Sequence, residues 1–247
     1  MASDPVVYYS VIALGAFLTG LSKGGLGGLL GALITPLLSL VMPIDQAIGM
    51  ALPIFILGDL FALAAHWGNW DRRLNWLLLP GALIGITLGT YVLTSISPTA
   101  LKRSLAVIIF LFISYKLFEQ RIMGKLAYRA QNWHGWLAGG IAGFTSTLAH
   151  AGGPPIIIYL LLQGVTPVVF VATSILFFSV TNWIKVPYYY QAGLLNFQAL
   201  RGIIWLAPLV PLGVWIGRRL ARRVDRLVFE RIILVLLGIT GIFLLVS

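Results

Sequence analysis

Apolar runs of roughly 20 residues recur along the whole chain, parted by short polar breaks. Each is long enough to cross about 30 Å of hydrocarbon as a helix. Eight such stretches fall into two sets of four. The first set is a broken element over 6–41, then 46–65, 74–94 and 99–118. The second is a broken element over 135–162, then 168–190, 199–217 and 227–246. The pattern predicts an all-α polytopic membrane protein. Its first repeat covers 1–118, a polar cytoplasmic linker 119–134, and a second repeat 135–247.

The two sets read as copies. A shift of 127 lays Phe17 on Phe144, Leu21 on Leu148, Lys23 on His150 and Gly25 on Gly152. A shift of 124 lays Pro43 on Pro167. A shift of 128 lays Pro80 on Pro208, Gly85 on Gly213, Gly89 on Gly217 and Arg103 on Arg231. Gly81, Gly85 and Gly89, like Gly213 and Gly217, place small residues at helical spacing and predict close helix packing.

Lysine and arginine in short loops mark the cytoplasmic side. With inverted repeats, one side collects Arg72, Arg73, Arg121, Lys125, Arg129, Arg218, Arg219, Arg222, Arg223 and Arg226. The other receives only Lys102, Arg103 and Arg201. Parallel repeats would remove this asymmetry. The inverted arrangement requires each broken element to enter and turn back as two short helices, and it puts both termini on the periplasmic face.

Composition agrees. The chain is 59% hydrophobic and 10% charged, with mean hydropathy +0.96, against about 25% charged in soluble domains. The net charge of +10 is a topology signal here, so no nucleic-acid partner is expected. Zero cysteines exclude disulfides, thiolate metal sites and iron–sulfur clusters. No metal or other cofactor is expected. The start "MASDPVVYYS" lacks the basic region and small-residue cleavage site of a removable signal peptide. No polar stretch is long enough for a soluble domain.

The chemistry concentrates at the two breaks. "SKGGLGG" follows Leu21, and "AHAGGPP" follows Leu148. Each sets one titratable side chain, Lys23 or His150, just ahead of a glycine pair. Glycine permits unusual backbone, and proline ends one helix while suiting the first turn of the next. A broken helix in lipid must be buried or line a cavity. Its second half begins with free N–H groups and a positive dipole end, which attract an anion. The candidate binding set is Ser22, Lys23, Gly24, Gly25, Thr145, Thr147, His150, Gly152, Gly153, Pro154 and Asn182, with Ser146 nearby. Asp59, Lys185 and His150 are candidates for coupling or gating, since ionisable groups inside spans are functional by default. His150 could carry a coupled proton near neutral pH. No catalytic constellation or P-loop spacing is present.

At these residues the chain resembles the TauE/SafE family of sulfite and organosulfonate exporters. The resemblance rests on Gly24-Gly25-Leu26-Gly27 and Gly152-Gly153-Pro154-Pro155, on the matching halves and on the linker. The chain departs from the family's commoner triple-glycine form in both halves, with Lys23 and His150 just upstream of the glycines. The resemblance implies a secondary transporter exporting sulfite or a sulfonate such as sulfoacetate across the bacterial inner membrane, with the glycine motifs forming the substrate site. An anion channel could use the same cationic breaks, and an intramembrane enzyme or a structural role is a more distant alternative. A homo-oligomer stays open.

Overall fold

The computed structural model describes residues 4–25, 31–123 and 131–220, with 234–235, 238–239, 241–242 and 245 beyond them. Among these, all regular structure is helical. The helices are α1 (Pro5–Gly25), α2 (Gly31–Leu38), α3 (Ile44–Ala65), α4 (Arg72–Ser95), α5 (Pro98–Met123), α6 (Asn132–Ala149), α7 (Gly153–Leu162), α8 (Pro167–Gln191), α9 (Phe197–Ile203) and α10 (Leu209–Leu220). Five are long and apolar enough to cross a membrane, and α9 with α10 forms a bent pair that is either a sixth, broken span or a re-entrant loop.

The sequence-predicted boundaries shift at two places. The linker is helical at both ends, because α5 continues to Met123 and α6 begins at Asn132. The third stretch of the second set is not one straight helix. It bends by 51° between α9 and α10, next to Pro208, which cannot continue the i→i−4 ladder. The middle of the linker lies outside the described residues, as does most of the last predicted span.

Both broken elements fold back on themselves. An added side chain at Gly15 would meet Leu38 and Ile34, so α2 runs back along α1. Likewise Tyr159 of α7 reaches Gly135 near the start of α6. In each element the second helix runs back along the first, and the facing helix ends, Lys23 and Gly31 in one and His150 and Gly153 in the other, come together around one cavity.

The two most extensive helix contacts are α1 with α10 and α4 with α6. Both are parallel and glycine-mediated. A Cβ at Gly20 would lie 2.0 Å from the Val210 carbonyl oxygen, and one at Gly81 would lie 1.9 Å from that of Trp136. By the repeat alignment, α1 matches α6 and α10 matches α4. The pairs are therefore one contact exchanged between halves. The matched helices α3 and α8 lie side by side: Gly49 meets Leu194, Asp59 meets Asn182, and the Asp71 amide donates to Thr173 Oγ1 at 2.9 Å. That order makes them antiparallel.

Helix ends are set locally. Asp71 caps α4, its carboxylate accepting from the Leu74 amide at 3.1 Å. Asp71→Ala should lower stability by about 0.5–2 kcal/mol. Thermal unfolding in detergent checks this, and an unchanged melting temperature would show the cap to be inert.

Candidate functional site

The hairpin tips meet. Lys23 stands in the last turn of α1, and His150 caps the C-terminus of α6. His150 has φ 53°, the one non-glycine residue with positive φ among the described residues. The left-handed region is uncommon for such residues and costs energy, so surrounding contacts must hold it. Thr35 of α2 hydrogen-bonds His150 Nδ1 at 3.1 Å, and the Phe55 ring stacks on the imidazole with centroids 4.8 Å apart. Both holders come from the first half.

Between the tips lies a cavity of about 50 Å³. One water needs ~10–15 Å³ on this scale, so the space takes a few waters or one small oxyanion. Ser22, Lys23, Gly31 and Phe55 line it from the first half. From the second come Ser146, His150 and Gly153, with Ile157, Ser174, Phe178 and Asn182. The His150 Nε2 atom is buried and has no hydrogen-bond partner.

Charge around the cavity is unbalanced. Lys23 pairs with the fully buried carboxylate of Asp59, which also accepts from Asn182 Nδ2 at 2.7 Å. Lys185, also fully buried, donates to Ser146 Oγ at 3.1 Å and reaches the Ser146 carbonyl at 3.4 Å. Among the described residues no carboxylate pairs with Lys185. Two lysines thus face one carboxylate. Burying a charge without a partner is expensive, and an incoming anion would supply what is missing.

The sequence-selected residues divide. Ser22, Lys23, His150, Gly153 and Asn182 line the cavity. Gly24 and Gly25 lie within α1 rather than past its end. Gly24 packs on α10, where a Cβ would sit 2.3 Å from the Val214 carbonyl oxygen. Thr145 and Thr147 turn their hydroxyls to the carbonyls of Ile141 and Gly143, at 2.8 Å each. Gly152 is the N-cap of α7, and Pro154 stands in its first turn. Because Pro154 and Pro155 carry no N–H, the amide donors at this terminus come from Gly152 and Gly153.

Asp59 and Lys185 do not meet each other. Each instead serves a different tip, Asp59 that of α1 and Lys185 the end of α6. Sequence reasoning missed Thr35, Phe55, Ser174 and Phe178. The available signal was helical spacing: Phe55 is one turn before Asp59, and Ser174, Phe178, Asn182 and Lys185 follow one stripe of α8.

Among the described residues no three His, Asp or Glu side chains converge as a metal site would require. Comparison with curated proteins and with solved structures returns no match. The glycine motifs that carried the family resemblance in the sequence stand beside this cavity, Gly24–Gly25 at the end of α1 and Gly152–Gly153 at the start of α7. A family model described as Sulfite exporter TauE/SafE matches residues 12–244, and the chain belongs to that family.

Proposed function

We propose that the protein is a secondary transporter that exports a small sulfur oxyanion across the inner membrane. The anion sits in the cavity between the hairpin tips. One observation carries this reading: the cavity joins both halves and is lined by Lys23, and buried Lys185 stands behind its lining Ser146 with no carboxylate partner among the described residues. Lys23, His150 and Asn182 would contact the anion, with the Gly152 and Gly153 amides and the hydroxyls of Ser22 and Ser146. Gly24, Gly25, Thr145, Thr147 and Pro154 would shape the hairpins. The volume favours sulfite over a longer sulfonate such as sulfoacetate.

Inverted repeats complete the reading. The antiparallel pairing of α3 with α8 and the exchanged pairs α1–α10 and α4–α6 support them. Arg73 donates to Asn132 at 3.2 Å, so the start of α4 and the end of the linker share one face. Burial first, and then the charge of Arg218, lower the His66 pKa from its usual value, so the end of α10 reaches that face too. This is the arginine-rich, cytoplasmic face. The start of α1, where Tyr9 packs on Trp205 with centroids 5.8 Å apart, would lie on the opposite face, and the N-terminus would then be outside.

Alternating access would come from rocking the α1–α10 pair against the α4–α6 pair across the cavity, in the manner of inverted-repeat transporters. Asp59 acts as the resident counter-ion of Lys23, and an arriving anion competes for that ammonium. Lys185 holds the end of α6 through Ser146. In proteoliposomes, sulfite efflux should saturate and be accelerated by sulfite on the far side. Lys185→Met should reduce that exchange at least tenfold. Single-channel currents without counterflow would overturn the transporter reading in favour of a channel.

A further inference from the structure

A second, larger cavity lies on the opposite side of α3. It is an apolar groove of about 790 Å³ between α1, α3, α8 and α9, lined by Ile12, Leu52, Leu57 and Val186 among others. Arg201 is the one charged residue lining it. Among the described residues no carboxylate pairs with Arg201.

The rim is aromatic. Tyr190 and Phe197 are exposed, with rings 6.1 Å apart. Exposed Trp205 stands one turn beyond Arg201. Tyrosine and tryptophan gather at the headgroup level of a bilayer, so this rim and Arg201 mark the interface. From there the groove follows α3 between Leu52 and Leu60, about 12 Å along its axis. The depth suits the upper part of an acyl chain, and the cation at the mouth suits a phosphate.

We propose that this groove is a lipid site, holding one acyl chain of an anionic phospholipid whose headgroup phosphate contacts Arg201. A soluble phosphate would find one cation, Arg201, on a wall that is otherwise largely apolar. A lipid satisfies both the wall and the charge. The site backs directly onto the small polar cavity, because Leu52 and Leu57 line the groove while Phe55, on the same helix, lines that cavity.

The test is native mass spectrometry of the full chain, with phosphatidylglycerol and phosphatidylcholine of identical chains. The wild type should prefer phosphatidylglycerol about fivefold, the size of one arginine's attraction to an anionic headgroup. Arg201→Gln should bind both lipids equally. Ala207→Trp, which fills the groove, should weaken both; if that variant does not fold, Arg201→Gln alone decides. Equal binding of the two lipids by the wild type, or a preference that survives Arg201→Gln, would overturn the proposal. So would equally effective competition by soluble glycerol 3-phosphate.

Discussion

Lys23→Met should abolish tight oxyanion binding and also weaken the fold. A hydrogen bond to a charged group is worth about 1.5–3 kcal/mol, so affinity should fall roughly 10- to 150-fold. The stability loss has a separate cause. Asp59 is fully buried and pairs with Lys23. Removing one partner of a buried pair costs about 3–5 kcal/mol, because the other charge stays behind. Among the described residues Asn182 alone would then hold the carboxylate. The double variant Lys23→Met/Asp59→Asn removes both charges, so it should regain most of the stability and none of the affinity. Thermal unfolding and sulfite titration of the three proteins separate the two effects. Undiminished affinity in the folded double variant would reject Lys23 as a ligand.

Gly139→Ala should be among the most damaging single methyl additions, while Gly140→Ala, next to it, should be harmless. At Gly139 a Cβ would lie 1.9 Å from the Leu78 carbonyl oxygen and 2.8 Å from the Leu78 carbonyl carbon. Both are backbone atoms of α4 that cannot swing aside. The helices would have to separate along their whole contact, which costs about 3 kcal/mol, at the upper end for overpacking. At Gly140 the nearest atom is 3.6 Å away, an ordinary contact. There the helix gains up to ~1 kcal/mol from losing a flexible glycine. Unfolding in detergent should move the two melting temperatures in opposite directions. Equal shifts would show that the α4–α6 contact is looser than described. Gly81→Ala, pressed on Trp136 at 1.9 Å, should behave like Gly139→Ala.

Much of this architecture was legible in the order of residues. Span lengths follow from bilayer thickness, so the stretch over 46–65 and α3 agree within two residues at one end and coincide at the other. The turn at "AHAGGPP" is where the α6 helix ends and α7 begins, because proline and glycine act on the backbone locally. The glycine roles were harder to read. Gly24 and Gly25 stand beside a lysine as Gly152 and Gly153 stand behind a histidine, yet α1 runs on through the first pair. What distinguishes them is proline: the second break has two, and the first has none until Pro36. The rest depends on contacts distant in the chain. Neither the Thr35–His150 bond, spanning 115 positions, nor the Asp59–Asn182 bond, spanning 123, has a local signal. Asp59 stands out in the sequence as an ionisable group inside a span, but its partner, Lys23, comes from another helix.

Selenite has the charge and shape of sulfite with a heavier central atom, and its anomalous scattering locates it without assumption. Crystals grown with selenite should show one selenium peak between the hairpin tips, within about 4 Å of Lys23 Nζ and of the Gly153 amide, as charge-assisted hydrogen bonds require. A peak elsewhere in the protein, with the cavity between Lys23 and His150 holding none, would contradict the account.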